Sequence, residues 1–365
     1  MNKSHNTPFL RIAKRDSIKW WHGWLIRLAG LFLALVVSAI VIYAIVKLNP
    51  VKVYAAMFEG NFGTSRRLWV TMRDLVMLLC IGLGLAPAFK MRFWNIGAEG
   101  QILVGGIATA AVMIYFGSSM PTWLLLIVCF IVSCIAGAIW GFIPAIFKAR
   151  YGTNETLFTL MMNYVAIQLT SYFVAIWENP FGSNTVGIIN QQTQAGWFPT
   201  MLGQKYLLNI IIVLALTVGM YVYLRYSKQG YEIAVVGESN RTARYIGINV
   251  NRVIVRTMMI SGAICGMAGY IAVAGASHTI STSTAGGSGF TAIIVAWLAK
   301  FNAFMMILVA ALLVFLEKGA IQIASQYNLN DFASKMIVGI ILFFILGSEF
   351  FTQYRLIFRH SREVK

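Results

Sequence analysis

Charged residues are scarce in this sequence of 365 residues. They make up 11% of the chain, whereas hydrophobic residues make up 59%. A soluble domain carries about 25% charged residues, so this composition excludes an ordinary soluble protein and indicates an integral membrane protein. Acidic residues are scarcer still, because 12 of them stand against 29 lysines and arginines and leave a formal net charge of +17.

The excess of basic residues does not form one long basic surface. Lysine and arginine fall between apolar runs instead. Such a distribution is typical of the positive-inside rule and of contact with anionic lipid headgroups. We therefore expect membrane lipid, and not nucleic acid, as the partner of these charges.

Residues that bind metals or perform catalysis are few and scattered. The four histidines form no ligand motif, and the four cysteines lie in apolar runs without a C-x-x-C spacing. We therefore predict no metal site, no disulfide framework and no catalytic residue.

The sequence also lacks the ATP-binding motif G-x-x-x-x-G-K-[ST], and no glycine is followed directly by lysine. The chain therefore cannot hydrolyse ATP by a Walker mechanism and is not expected to be an enzyme or to hold a cofactor. Energy for any transport must come from a partner subunit or from an ion gradient.

Long apolar runs are what the sequence has in abundance. A spanning helix needs about 20 mostly apolar residues, and two shorter runs suit short or broken helices buried among neighbours. The candidate spans are 28–46, 68–89, 123–147, 157–177, 206–224, 253–275, 304–316 with some extension, and 336–351, and the short runs are 102–116 and 290–298. The predicted fold is all-α and polytopic, with about ten transmembrane helices.

Charge between the runs predicts the orientation. The N-terminal tail, residues 148–150, residues 225–256 and the C-terminal tail are basic, whereas the connection 178–205 holds two charged residues. Basic segments on the inside require an even number of spans, ten or eight, with both termini cytoplasmic. We expect a cytoplasmic tail at 1–27, a single transmembrane domain at 28–353 and a second cytoplasmic tail at 354–365.

A polar stretch interrupts two apolar runs at "MRFWNIGAEGQ", residues 91–101. Lys90 and Arg92 predict that Glu99 is shallow and partly wet. In one interpretation Glu99 and Gln101 cap the helix that follows, where the helix dipole favours a carboxylate. In the other, Asn95, Glu99 and Gln101 face a translocation path near its inner mouth, and a broken helix would satisfy both interpretations.

A second polar cluster, "GTNETLFTLMMNY", opens the span 157–177. Asn154 and Glu155 suit a first-turn cap as well as a substrate path, whereas Asn163 lies too deep for lipid and is predicted to face the pore or a partner permease. The span also has three aromatic residues, Tyr164, Tyr172 and Phe173. They either stack on a nucleobase or pack against neighbouring helices and lipid. Phe290, after the glycine-rich bend "STAGGSGF", is a candidate constriction.

The largest cytoplasmic segment, 228–250, contains a short predicted helix. Ser239 or Asn240 can cap its start, and Gly247 suits the position just past its end. An ordinary basic loop is one interpretation, and a rigid element that docks on a partner is the other.

Five stretches in this order resemble motifs of ATP-binding-cassette import permeases of the ribose and simple-sugar branch, most closely the permeases of nucleoside uptake systems. They are "RFWNIGAEGQ", "TNETLFTLMMNY", "VVGESNRTARYIGINVNRV", "SGAICGMAGYIAVAG" and "GSGFTAIIVAWLAKFNAF". The resemblance covers about residues 68–347. It is more specific for the family than for the substrate.

The resemblance implies a type II-like permease in a bacterial plasma membrane, forming half of a path for nucleosides, or alternatively for ribose or another simple sugar. Implied partners are a second homologous permease, a cytoplasmic subunit that binds ATP, and an extracellular lipid-anchored binding protein. The short helix would be the coupling helix, with Gly237, Glu238, Ala243, Arg244 and Gly247 at contact or shape-setting positions. One departure is Ala234, where the family usually has arginine.

Two other classes remain as alternatives to this resemblance. An ion-coupled secondary transporter would need acidic residues at mid-depth, and the few acids here are expected near interfaces. A membrane-embedded enzyme would need concentrated catalytic groups, which the sequence lacks.

Overall fold

The computed structural model describes residues 10–14 and 20–358, and most of them are helical. The helices are α1 (Trp20–Val41, continued by a π-helical turn, Ile42–Val46), α2 (Pro50–Phe62), α3 (Ser65–Lys90), α4 (Ala98–Phe116), α5 (Thr122–Tyr151), α6 (Glu155–Ile176), α7 (Leu207–Tyr226), α8 (Lys228–Glu238), α9 (Asn240–Tyr245), α10 (Val250–Ala272, continued by a π-helical turn, Val273–Ser277), α11 (Ser288–Leu298), α12 (Ala303–Gln326) and α13 (Asp331–Gln353).

The all-α polytopic prediction is confirmed. Among the described residues, nine helices are long and apolar enough to cross a membrane by length and composition, and α11 is a shorter apolar helix. Each of the ten predicted runs coincides with one helix or lies largely within it. The run 102–116 belongs to a longer helix than expected, because α4 already begins at Ala98 and has 19 residues.

Outside the coupling segment, one helix and one small sheet were not anticipated from the sequence. Helix α2 carries a recognisable start signal, since the side chain of Asn49 accepts a hydrogen bond from the amide of Val51 and Pro50 is the first helical residue. A two-stranded antiparallel sheet pairs β1 (Leu10–Lys14) with β2 (Tyr354–Phe358). The strands lie within the segments 1–27 and 354–365 that the sequence assigns to tails.

The chain divides into two compact units, Met1–Thr64 with Phe315–Lys365, and Ser65–Val314. Helices α1 and α13 belong to the first of these units. A single transmembrane domain at 28–353 stays a prediction. In that unit Arg27 forms a 3.1 Å ion pair with Glu349, which joins α1 to α13. The side-chain Nδ2 of Asn61 donates a 3.0 Å hydrogen bond to the backbone carbonyl of Phe315, which joins α2 to α12.

The unit Ser65–Val314 is built around α10, which is buried along most of its length. Helices α3, α4 and α5 surround it. Glycines allow its backbone to touch two neighbours, since a Cβ atom on Gly137 of α5 would collide with the Gly262 carbonyl, and one on Gly105 of α4 with the Gly266 backbone. Small residues at helix crossings let helices approach closely in membranes, where packing drives association.

We expect Gly137→Ala to destabilise the protein by about 1–3 kcal/mol, because the added methyl group meets backbone that cannot rotate away. The matched control is Gly219→Ala on α7, since a Cβ atom there meets nothing within 4 Å. The midpoint of thermal unfolding in detergent should fall for the first variant only. Equal midpoints for the two variants would contradict the close crossing of α5 and α10.

Candidate translocation site and coupling segment

A non-helical break separates α3 from α4, and its polar groups are satisfied by side chains. Asn95 is fully buried. Its Oδ1 accepts a 3.0 Å hydrogen bond from the amide of Gly97, and its Nδ2 donates to Ser261 Oγ at 3.2 Å and to Gln101 Oε1 at 3.4 Å. Irregular backbone at membrane depth is tolerated only where protein or water satisfies it, and here Asn95 contributes to that task.

The buried face of α6 holds the same break from the other side. Asn163 Oδ1 accepts a 2.9 Å hydrogen bond from the amide of Gly100, and Nδ2 donates to the carbonyl of Ile96 at 2.9 Å. The hydroxyl of Thr159 accepts from the amide of Ile96 at 3.2 Å. The structure therefore places Asn163, which is 3% exposed, against the break of its own chain. That it also faces the pore or a partner permease stays a prediction.

Glu99 joins α4 to α11. Its Oε1 accepts a 2.6 Å hydrogen bond from the amide of Gly287, and its Oε2 accepts a 2.8 Å hydrogen bond from the amide of Gly289. The side chain is in the first turn of α4, yet it caps the start of α11 instead of its own helix. Glu99 therefore caps a helix, as one interpretation predicts, but the helix that it caps is α11 and not α4.

The exposure of Glu99 also differs from expectation. Glu99 is only 8% exposed in this chain, which corrects the prediction that it is partly wet. Its predicted position near the cytoplasmic interface stays a prediction.

The starts of two helices thus meet around one carboxylate. Helix N-termini carry unpaired amides and partial positive charge, which a negative side chain stabilises. Gly286 and Gly287 adopt left-handed φ values of 57° and 80°, and they provide the predicted bend before α11. Paired discontinuous helices of this kind surround the binding centre in many transporters.

The remaining predicted path residues separate into two groups. Asn154 caps α6 by accepting hydrogen bonds from the amides of Thr156 and Leu157, and Glu155 forms a 2.7 Å ion pair with Lys148, so both have local roles. Gln101 is buried beside Asn95. Phe290, by contrast, is 46% exposed in the first turn of α11, and its role as a constriction stays a prediction.

The aromatic residues of α6 also separate. Phe173 stacks on Trp177 with ring centroids 4.9 Å apart, so it is packed against its own chain. Tyr164 and Tyr172 are exposed. The sequence alone left all three open between stacking and packing.

The coupling segment consists of two helices and not one. Helix α8 ends at Glu238, and Ser239 then caps α9 by accepting a 3.2 Å hydrogen bond from the amide of Thr242. Gly247 has a left-handed φ of 84°, and the amide of Ile248 donates to the carbonyl of Ala243 at 2.9 Å. The Ser239 cap and the glycine stop have the geometry that the sequence predicts.

The five positions carried over from the family motif lie on two sides of this segment. Gly237 and Ala243 are buried, and a Cβ atom on Gly237 would collide with the carbonyl of Lys90. Glu238, Arg244 and Gly247 are exposed.

Sequence reasoning missed Tyr245, which is 92% exposed on the same short helix. Its signal in the sequence was a large aromatic residue directly after Arg244 in a segment expected to be solvated.

The departure at Ala234 has a structural counterpart. Ala234 lines a cavity of about 390 Å³ together with Lys90, Arg225 and Lys300. Other elements of the chain therefore supply positive charge beside the position where the family usually has arginine. Among the described residues, no group of three or more His, Cys, Asp and Glu is placed to hold a metal ion.

A polytopic helical protein with a buried, hydrogen-bonded break between two of its helices, and with a short capped helix between two candidate spans, has the organisation of a transporter's membrane subunit. The chain belongs to the family described as "Branched-chain amino acid transport system / permease component", which matches residues 69–346. It is a multi-pass ABC transporter permease, and the resemblance derived from its motifs is confirmed.

Named relatives are similar over most of their length. The guanosine ABC transporter permease protein NupP of Bacillus subtilis is 32% identical over 298 residues, covering 81% of this chain and 85% of that protein. A glucose ABC transporter permease protein of Haloferax volcanii is 27% identical over 95% of this chain and 93% of its own. A nucleoside ABC transporter permease protein of Lactococcus lactis is 26% identical over 81% and 84%. No solved structure matches the chain.

We expect Glu99→Ala to lower the free energy of unfolding by about 3 kcal/mol, because two buried amides lose a charged acceptor. The matched control is Glu178→Ala, since Glu178 also accepts from two backbone amides, those of Gly182 and Asn184, but in an exposed loop. The midpoint of thermal unfolding in detergent should fall further for Glu99→Ala. A larger fall for the control would contradict the importance of the buried cap.

Proposed function

We propose that this permease forms half of the translocation path for nucleosides in an ATP-driven importer. The observation that carries the proposal is its 32% identity to a guanosine ABC transporter permease protein over 81% of the chain. A nucleoside ABC transporter permease protein is also similar. Solute would be delivered on the outer side and released inside as the path alternates between two conformations.

Ribose or another simple sugar is the second candidate substrate. It is favoured by the similarity of a glucose ABC transporter permease protein over 95% of this chain. Both solute classes are neutral and rich in hydrogen-bonding groups. They differ in the planar base that only a nucleoside carries.

The proposed assembly has three kinds of partner. A second homologous permease would complete the path, and Bacillus subtilis has two guanosine ABC transporter permease proteins, of which NupQ is 24% identical over 59% of this chain. This pairing supports a heterodimer. A lipid-anchored binding protein would deliver the solute outside, and a cytoplasmic subunit would bind and hydrolyse ATP.

Coupling to the ATP-binding subunit is assigned to α9, with both termini of the chain cytoplasmic. The helix is fixed at both ends, by the Ser239 cap and by the turn at Gly247, and it exposes Arg244 and Tyr245. A short rigid helix with exposed charge and aromatic surface suits insertion into a groove. Movement of the partner would then reach the membrane helices as a rigid-body displacement.

The ion-coupled alternative gains no support from Glu99. An ion-coupled transporter needs an acidic side chain at depth that can exchange its partner. Both carboxylate oxygens of Glu99 accept hydrogen bonds from amides at the start of α11, those of Gly287 and Gly289. That carboxylate is therefore engaged in holding two helices together.

The substrate is tested by uptake into proteoliposomes that contain the assembled complex and its binding protein. We expect accumulation of tritiated guanosine and uridine that depends on ATP and is not displaced by excess ribose. Accumulation of ribose with no competition from uridine would favour the sugar. Uptake by this chain alone in sealed vesicles, driven by an ion gradient, would contradict the whole proposal.

Coupling is tested by Arg244→Glu, which should leave the chain inserted but abolish solute-stimulated ATP hydrolysis, because the reversed charge opposes docking. The control is Arg150→Glu, an exposed basic residue in the last turn of α5 and outside α9, for which we expect normal coupling. Normal transport by Arg244→Glu would argue against the docking role.

The turn at Gly247 gives a second pair of variants for the same interface. Gly247→Val should weaken assembly with the ATP-binding subunit, because a β-branched residue is strained at a φ of 84°. Gly247→Asn should assemble more nearly as the wild type does, because asparagine tolerates the left-handed region. The yield of co-purified ATP-binding subunit measures assembly for each variant. Equal yields from Gly247→Val and Gly247→Asn would show that docking does not depend on the turn.

A further inference from the structure

The exposed face of α6 carries polar side chains in the middle of an apolar span. Gln168 and Ser171 are exposed, and Tyr164 and Tyr172 are 59% and 62% exposed. Tyr164, Gln168 and Tyr172 are four residues apart, so they follow one another on one face at intervals of about 6 Å.

Polar side chains on the two faces of α6 differ in whether they form hydrogen bonds within the chain. On the buried face, Thr159, Asn163 and Thr170 all form hydrogen bonds within the chain. On the exposed face, Tyr164, Gln168, Ser171 and Tyr172 have no hydrogen-bond partner in the part of the chain that the structure describes. The polar groups of this exposed face therefore require partners from outside the chain.

Lipid is a poor neighbour for this face at its centre. Gln168 lies about 4 Å along the helix from the midpoint of Glu155–Ile176. An unpaired amide in hydrocarbon is costly. Tyr172 is close enough to the helix end to reach the headgroup level, but Gln168 is not.

The same face also has open space beside it. A cavity of about 430 Å³ lies along the first half of α6, lined among others by Leu157, Met161 and Val165. All three side chains belong to the exposed side that carries Gln168. The last lining residue along the helix is Val165, three residues before Gln168.

We propose that Gln168, flanked by Tyr164 and Tyr172, contacts the base of a nucleoside during its passage. The primary amide both donates and accepts hydrogen bonds, as the edge of a purine or pyrimidine does. The tyrosine rings on either side offer aromatic faces to the planar base, a mode that supplies affinity for any base. This inference rests on the proposed nucleoside function and assigns residues to it.

The test uses the assembled complex in proteoliposomes and tritiated guanosine as the probe. Gln168→Leu should raise the KM for guanosine about tenfold, because the base loses an amide partner, while the second permease co-purifies in unchanged amount. Tyr164→Leu should raise KM more than Tyr164→Phe, which keeps the ring. The control is Ile135→Leu on the exposed side of α5, for which we expect wild-type KM.

Two results from the variants would overturn the inference. An unchanged KM in Gln168→Leu and Tyr164→Leu would mean that this face does not meet the solute. Loss of the co-purifying second permease in Gln168→Leu would make the face an interface between permeases. A wild-type complex that accumulates no guanosine would overturn both the proposed nucleoside function and this inference. Normal guanosine uptake by the wild type, together with an unchanged KM in the variants, would overturn only this inference.

Discussion

One carboxylate holds the interior of this permease together. Glu99 accepts the amides of Gly287 and Gly289, and it brings the first turns of α4 and α11 to the same point. Two helix starts that meet there would otherwise present unpaired amides and like partial charges to each other. The negative charge of Glu99 stabilises both helix starts. It therefore allows the break before α4 to lie close to the glycine bend that precedes the short helix α11.

The contacts around this point form a continuous set that reaches the coupling segment. Asn95 and Asn163 fix the break between α3 and α4. The carbonyl of Lys90, at the end of α3, lies against Gly237 of α8, where there is no room for a side chain. If α9 is displaced by an ATP-binding subunit, the neighbouring helix α8 is therefore the element that is packed directly against the helix leading into the break.

The polar residues show how far reasoning from the sequence extends. Amides and carboxylates in apolar surroundings predict that partners exist, and this was right for Asn95, Glu99 and Asn163. It did not identify the partner, because a solute-facing side chain and one that satisfies its own backbone look alike in sequence. Gln168 gave no separate signal, since only the folded chain shows that it lies on the exposed face of α6 without a partner.

The sequence by itself determined the membrane class, the ten apolar helices, the Ser239 cap and the glycine stop at Gly247, because these depend on composition or on residues a few positions apart. Only the tertiary structure decided which helix Glu99 caps and that its side chain is buried, since its partners are 188 and 190 residues away. Local hydrogen bonds and hydrophobic runs depend on residues that are close together in the sequence, so they can be predicted from it. Contacts between distant helices are decided when α10 packs against its neighbours and the buried polar groups find partners.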